Sequence, residues 1–170
     1  MDKSGEKWIT LFLMFINLNL IIETNNRMFI GEYTISMDEK GRIAVPVKFR
    51  QSFINGAFIT KGLDNNLSLY TREEWEKIAA KVASLPFTKA NSRAFARSML
   101  AGAFEFEIDK QGRGIVPEEL RKFGNLSKKV VLAGVYDRIE VWDEQTWKNY
   151  KIGTERDGAA IAESLGELGV

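Results

Sequence analysis

The chain contains no cysteine and no histidine, and only three of its 170 residues are proline. Without cysteine there is no disulfide framework, no zinc site built on thiolates and no cysteine nucleophile. Without histidine there is no imidazole-based triad, and most zinc chemistry is excluded because carboxylates alone rarely hold that metal. An enzyme would have to use carboxylate, lysine or tyrosine chemistry. We therefore expect no enzymatic activity, no metal and no cofactor.

A strong charge of either sign is also missing. The chain has 24 basic and 23 acidic residues, which gives a formal net charge of +1. An anionic partner must then be bound by a local basic patch, or by a patch that assembly multiplies. With 45% hydrophobic and 28% charged residues, the chain can bury a core as one globular domain or as two small halves.

The first 27 residues differ from the rest of the chain. WITLFLMFINLNLII, residues 8–22, resembles the hydrophobic stretch of a signal peptide or a short membrane anchor. It is shorter than the roughly 20 apolar residues that span a membrane, and no small-residue cleavage site follows it. Three interpretations stay open: translation that begins at Met28, a cleaved or anchoring segment, and a helix that packs on the domain. We do not expect membrane association.

From Met28 onward the chain is an internal duplication. At an offset of 71 residues, six of the thirteen positions from Asp38 to Arg50 recur unchanged. The recurring residues are Asp38 and Asp109, Gly41 and Gly112, Arg42 and Arg113, Val45 and Val116, Pro46 and Pro117, and Arg50 and Arg121. Further along, an offset of 72 aligns Gly62 with Gly134 and Trp75 with Trp147, so one residue has been inserted.

Both copies predict the same order of elements. An alternating strand ends at the aspartate, a glycine turn follows, and a second strand completes a β-hairpin. Pro46 and Pro117 open short helices; two more strands and a capped helix then follow. The predicted segments are an extension outside the domain (1–27), a first unit (28–76), connecting helices (77–101), a second unit (102–150) and a flexible tail (151–170).

The repeated DxxGR motif has two interpretations. The aspartate can accept backbone N–H bonds in the turn, and the arginine four residues later can lie beside it, which makes a structural clasp. Alternatively, Lys40 and Arg42 project from a rigid turn and contact phosphates or guanine edges in the major groove, which admits a two-stranded ribbon. The spacing alone favours the clasp.

These residues carry a family resemblance. MFIGEYTISMDEKGRIAVPVKFR, residues 28–50, resembles the opening of the MraZ family of bacterial transcriptional regulators, and the duplicated DxxGR is that family's mark. The resemblance implies an α+β, β-rich fold: the duplicated swapped-hairpin barrel of AbrB-like regulators, pseudo-two-fold symmetric within one chain. It also implies ring-shaped homo-oligomers that bind direct repeats in double-stranded DNA upstream of the cell-division and cell-wall gene cluster, in the cytoplasm at the nucleoid.

The resemblance assigns DNA contact to the two turns. Arg42 stands where the family's DNA-contacting arginine stands, with Lys40 beside it; Arg113 and Lys110 are the candidates in the second turn. Gln111 replaces the lysine there and two glutamates follow Pro117, so we expect the second turn to be less basic and Arg113 to matter less. The residues assigned to shaping the turns are Asp38, Gly41, Asp109 and Gly112.

Two classes of function remain after the sequence. The first is a sequence-specific DNA-binding regulator. The second is an AbrB-like antitoxin or protein-interaction module that does not read an operator. The basic stripe of Lys89, Arg93 and Arg97 on the connecting helix is expected to face solvent, and the tryptophans are expected to pack a core or an interface.

Overall fold

The computed structural model of the protein describes residues 28–168. The three interpretations of residues 1–27 therefore lie outside the described residues. The strands are β1 (Phe29–Ser36), β2 (Arg42–Ala44), β3 (Ala57–Lys61), β4 (Leu67–Thr71), β5 (Phe104–Phe106), β6 (Arg113–Ile115), β7 (Lys129–Tyr136) and β8 (Arg138–Asp143). The helices are α1 (Val47–Arg50), α2 (Arg72–Ala83), α3 (Ala90–Ala96), α4 (Glu118–Phe123), α5 (Glu144–Arg156) and α6 (Gly158–Leu165). Short 3-10 turns lie at Gln51–Phe53 and Gly166–Leu168, and a π-helical turn at Arg97–Ala101 continues α3.

The strands form two antiparallel sheets. The larger sheet has the order β1-β7-β8-β4-β3-β5, and β2 pairs with β6 in a separate two-stranded ribbon. The predicted α+β, strand-rich fold is confirmed. In the described part of the chain the larger sheet does not close into the barrel that the resemblance implies, because β2 and β6 pair with each other instead of continuing its ladder from β1 and β5.

The two units exchange strands. β1 of the first unit pairs with β7 of the second, and β5 of the second unit pairs with β3 of the first. The prediction that β1 and β2 form a hairpin with each other is therefore wrong in its pairing, although the tight turn between them is present. Apolar residues that alternate with a period of two identify a strand and its buried face. The same alternation occurs whether the strand pairs with its neighbour in sequence or with a strand of the other unit, so it does not identify the pairing partner.

The register of the ladders reveals the pseudo-two-fold relation. The ribbon is centred on Ile43 opposite Gly114, which occupy equivalent positions in the duplication. The β4–β8 ladder contains Ser68 opposite Glu140, which are likewise equivalent. Each of these two ladders is thus made by one strand and its own copy.

The third strands of the two units, β3 and β7, align with an offset that differs by one residue from the predicted offset. Tyr33 pairs with Leu132 and its counterpart Phe104 pairs with Ile59, so Ile59 and Leu132 are equivalent. That places β3 and β7 at an offset of 73 residues, one more than the glycine match predicts. Gly62 lies in the turn after β3, where its N–H donates to the Asn66 carbonyl at 2.7 Å.

The main hydrophobic core is shared by both units. Ile43 and Phe49 from the first unit and Phe106 and Leu120 from the second are all buried in one cluster. Burial of apolar surface is the dominant stabilising contribution to folding. Because each unit supplies part of a common core, neither unit has a complete core alone.

The remaining aromatic side chains pack smaller clusters. Trp75 is buried and stacks on Phe58 with ring centroids 5.5 Å apart. Trp142 is buried against Trp147 at 5.2 Å. The interpretation of the tryptophans as packing residues is confirmed for these three.

The C-terminal segment is helical up to its last described residues. α5 continues to Arg156 and α6 follows, and Lys151 Nζ lies 3.1 Å from Glu32 Oε2 on β1. The alanine-rich sequence of α6 favours a helix, because alanine is the strongest helix former, and the flexibility predicted for residues 151–170 stays a prediction. Within residues 28–168, no helix is both long and apolar enough to span a membrane.

Candidate nucleic-acid interface

The ribbon of β2 and β6 brings the two predicted arginines to one surface. Arg42 is opposite Ile115, and Ala44 is opposite Arg113. Opposed residues share a face of the ribbon and alternate residues point the same way, so these four side chains lie on one face. The other face is closed by Ile43, which is fully buried. The two copies of DxxGR therefore contribute to a single surface.

The opposite face has no room for a side chain at the centre of the second strand. A Cβ atom added to Gly114 would overlap the ring of Phe106. Glycine is thus required where β6 crosses the core, which explains why the second copy reads RGIV where the first reads RIAV.

Each turn is held by its aspartate. Asp38 Oδ1 accepts hydrogen bonds from the backbone N–H groups of Lys40 at 3.0 Å and Arg42 at 2.9 Å. Its second oxygen accepts from Arg42 Nε at 2.6 Å. Gly41 closes the turn by donating to the Asp38 carbonyl at 2.9 Å, with a positive φ of 77° that favours glycine.

The second turn repeats this geometry. Asp109 Oδ1 accepts from the N–H groups of Gln111 and Arg113, each at 2.9 Å. Asp109 Oδ2 accepts from Arg113 Nε at 3.0 Å and from Arg113 Nη2 at 2.8 Å. Gly112 has the same φ of 77°. The clasp interpretation of the motif is therefore correct, and it holds the arginines in fixed positions.

The clasps lower the pKa of both carboxyl groups. The backbone N–H of Arg113 is the main cause at Asp109, its guanidinium adds to the effect, and together they lower the Asp109 pKa from 3.8 to about 2. The Asp38 pKa is lowered mainly by the backbone N–H of Arg42, with its guanidinium contributing. Hydrogen bonds to the charged form favour ionisation. Both aspartates are consequently negative at neutral pH.

Each turn is also supported by the other unit. The Gly41 carbonyl accepts from the Val116 N–H at 2.9 Å, and the Gly112 carbonyl accepts from the Val45 N–H at 2.9 Å. These two bonds extend the ribbon into both turns. A displacement of one turn therefore affects the strand of the other unit.

Two arginines cross between the units in the same way. A Cβ atom on Gly41 would lie 2.9 Å from Arg121 Cζ, and a Cβ atom on Gly112 would overlap Arg50. Arg50 Nε donates to the Val45 carbonyl at 2.9 Å, whereas the buried Arg121 Nε has no hydrogen-bond partner among the described residues. Their guanidinium groups thus lie against the turn of the opposite unit.

This exchange changes the predicted balance of charge between the turns. Sequence order attributes Arg50 to the first turn and Arg121 to the second, but the structure exchanges them. Lys40 and Lys110 are both exposed, one in each turn. Each turn therefore has one lysine, its clasped arginine and one arginine from the other unit. This count of basic side chains does not distinguish the turns, and the weaker role of Arg113 stays a prediction.

Sequence reasoning did not assign a role to Arg50 and Arg121. The available signal was their identity in both copies, four residues after the prolines and outside the DxxGR motif. On the connecting helix, Arg93 Nη1 donates to the Phe87 and Thr88 carbonyls at 2.8 and 3.1 Å, so this member of the basic stripe supports a loop. Among residues 28–168 no group of three or more carboxylates is placed to hold a metal ion.

The fold and this surface define a duplicated swapped-hairpin protein that presents two clasped arginines side by side. A family model described as MraZ protein, antitoxin-like, matches residues 28–98 and again residues 99–163. The chain is 46% identical over 143 residues to the transcriptional regulator MraZ of Acetivibrio thermocellus, which covers 84% of this chain and all of that protein. It is 43% identical to the corresponding regulator of Syntrophomonas wolfei, again over 84% of this chain and all of the relative. The chain belongs to the MraZ family.

Proposed function

We propose that this member of a family of transcriptional regulators binds double-stranded DNA through the face of the β2–β6 ribbon that presents Arg42 and Arg113. The observation that supports this most strongly is the placement of two clasped arginines on one face of a two-stranded ribbon. A ribbon of this kind fits the major groove of B-DNA. In this proposal Lys40 and Lys110 contact phosphates and the two arginines read bases.

The clasp suits an arginine that reads a base. Arg42 is held to Asp38 through Nε, and this hydrogen bond leaves its two terminal nitrogens to face a guanine O6 and N7. A side chain held in place before binding loses less conformational entropy when it binds. Arg113 donates hydrogen bonds to Asp109 through both Nε and Nη2, so Nη1 is the nitrogen left to contact DNA unless this ion pair rearranges.

Assembly compensates for the low net charge. With a formal charge of only +1, one chain has little general attraction for DNA. We propose that a ring-shaped homo-oligomer sets several ribbons against short direct repeats. Linked contacts at matched spacing raise apparent affinity by roughly 10² to 10⁴. Family membership supports a regulatory site upstream of the cell-division and cell-wall gene cluster, and activity in the cytoplasm at the nucleoid.

The test is a gel-shift titration of the full chain on its own upstream DNA and on a shuffled sequence, at several salt concentrations. The proposal expects preference for the natural sequence. Lys40→Ala should weaken binding to both sequences and reduce the salt slope by about 0.9 for each phosphate that the bound ribbons no longer neutralise. Equal binding to natural and shuffled DNA would contradict sequence reading.

The second candidate function is an antitoxin or protein-interaction module. The description of the matching family as antitoxin-like favours it. In that case the clasps would stabilise the fold only, and the purified chain would bind its upstream DNA no better than any other DNA. The same titration therefore distinguishes the two candidates.

A further inference from the structure

A cavity of about 230 Å³ lies beside the connecting helix. The π-helical turn and the residues that follow it form one wall, and β3, β5 and α4 form the others. Lys61 and Arg97 contribute two positive charges to its lining, while Glu119 contributes one negative charge. Phe104 and Ala101 contribute apolar surface. The cavity thus combines a net positive charge with an apolar wall.

Within residues 28–168, neither cation of the cavity has an ion-pair partner. Among the ion pairs of residues 28–168, none includes Lys61, Arg97 or Glu119. The half-buried Lys61 instead places Nζ 5.3 Å from the centre of the Phe123 ring. A cation over an aromatic ring keeps its capacity to bind an anion.

The wall that carries Arg97 is built around a backbone distortion. Residues Arg97–Ala101 form a π-helical turn, and the buried Thr60 hydroxyl donates to the Met99 carbonyl within it at 2.7 Å. A Cβ atom on Gly102 would overlap the Ser98 carbonyl, so the chain can turn here only with glycine. Such π-helical turns frequently occur at functional sites.

The equivalent surface of the first unit carries a different charge. The position equivalent to Glu119 is Lys48. Lys48 lies over the rings of Tyr33 and Phe49, 4.9 and 4.7 Å from their centres. The first unit therefore covers the equivalent aromatic surface with its own cation.

We propose that this cavity binds a small organic anion whose negative group lies between Lys61 and Arg97 and whose apolar body contacts Phe104 and Ala101. We further propose that its occupancy alters DNA binding. Glu119 and Leu120 belong to α4, and the next residue, Arg121, lies against Gly41 of the first turn. A ligand that moves α4 therefore displaces a support of that turn. This second step rests on the proposed function, whereas the binding site does not.

Isothermal titration calorimetry of the full chain with phenyl phosphate tests the site. We expect saturable binding with one ligand per chain, weaker binding of inorganic phosphate, and no binding of benzyl alcohol. Lys61→Met and Arg97→Met should each weaken binding about tenfold, as expected for loss of a charge-assisted hydrogen bond. Lys81→Met, which removes an exposed charge from α2 outside the cavity, should leave it unchanged. No saturable binding, or equal binding by Lys61→Met, would overturn the site.

Gel-shift titration with and without phenyl phosphate tests the second step. At a ligand concentration near the wild-type dissociation constant, we expect the DNA affinity of the wild type to change at least threefold and that of Arg97→Met to change clearly less. An equal change in both proteins would mean that the ligand acts as ordinary competing salt, which overturns the coupling. If the wild type fails to prefer its upstream DNA without ligand, the proposed function is wrong, while calorimetry still decides the site.

Discussion

Replacing Arg42 by alanine distinguishes two roles of the DxxGR motif: stabilising the fold only, or also holding an arginine that contacts DNA. The substitution removes one ion pair, in which Arg42 Nε lies 2.6 Å from Asp38 Oδ2. It leaves the hydrogen bonds from the backbone N–H groups of Lys40 and Arg42 to Asp38 Oδ1, because these do not involve the arginine side chain. The turn should therefore keep its shape in Arg42→Ala.

The expected loss of stability is small and the expected loss of DNA binding is large. The Arg42 and Asp38 side chains are 27% and 36% exposed, and exposed ion pairs contribute little. For a chain of this length we expect the melting temperature to fall by at most about 2–4 °C. Removal of a base-reading arginine should weaken DNA binding roughly fivefold to 150-fold for each ribbon engaged. In an oligomer the effect is repeated in every protomer.

The assay combines thermal melting, size-exclusion chromatography and fluorescence anisotropy on the upstream DNA. Arg138→Ala is a control outside the ribbon: its side chain is 33% exposed, and its terminal nitrogens lie 2.9 Å from Asp137 Oδ1 and 3.1 Å from Glu140 Oε1. Both variants should melt slightly earlier and elute like the wild type, but only Arg42→Ala should lose specific binding. If Arg42→Ala unfolds or dissociates, or if it stays folded and binds like the wild type, the clasp is structural only.

The same geometry makes three other changes informative. Gly41→Ala should destabilise the fold by about 1–2 kcal/mol, because a φ of 77° is unfavourable for alanine and the added Cβ would displace Arg121. Chemical denaturation measures this loss, and the control Gly153→Ala, which has open space around it, should not destabilise the fold. The Asp109 clasp should stabilise the fold fully above about pH 4 and stop doing so as the pH falls toward its folded-state pKa of about 2; the difference in melting temperature between wild type and Asp109→Asn should shrink over that range. Residues 28–98 or 99–163 expressed alone should lack cooperative unfolding by circular dichroism, because the core and the ladders join the two units; a sharp melting transition in either fragment would contradict the exchanged fold.

The local features of this fold could be predicted because short segments determine them. The turn at Asp38 needs a glycine and an acceptor within five residues, and both are present in the sequence. The caps at Thr71 and Asp143 form as their spacing predicts: Thr71 Oγ1 accepts from the Glu74 N–H, and Asp143 Oδ1 accepts from the Gln145 N–H. The duplication predicted that both turns adopt one geometry.

The partners of these local elements could not be predicted in the same way. β1 carries the same alternation whether it pairs with β2 or with β7, so periodicity does not distinguish a hairpin from an exchanged strand. The contacts of Arg50 and Arg121 with the opposite turns follow from that exchange. A single sequence shows that these arginines are repeated, but the positions of their side chains depend on tertiary packing.

The C-terminal helices show a different limit. Small residues and acidic charge suggested a flexible tail, yet alanine loses no side-chain entropy in a helix and favours one. α6 has no buried residue, so its helical form owes more to propensity than to packing. Whether residues 151–170 are mobile stays a prediction.

Substitution of 7-deazaguanine for guanine in the upstream DNA tests directly whether the arginines of the ribbon read guanine edges. This base lacks the N7 acceptor but pairs normally, so only major-groove recognition changes. We expect the wild type to lose most of its affinity for the substituted DNA, while the double variant Arg42→Ala with Arg113→Ala binds natural and substituted DNA equally. A wild type that binds both DNAs with the same affinity would contradict base reading by these arginines.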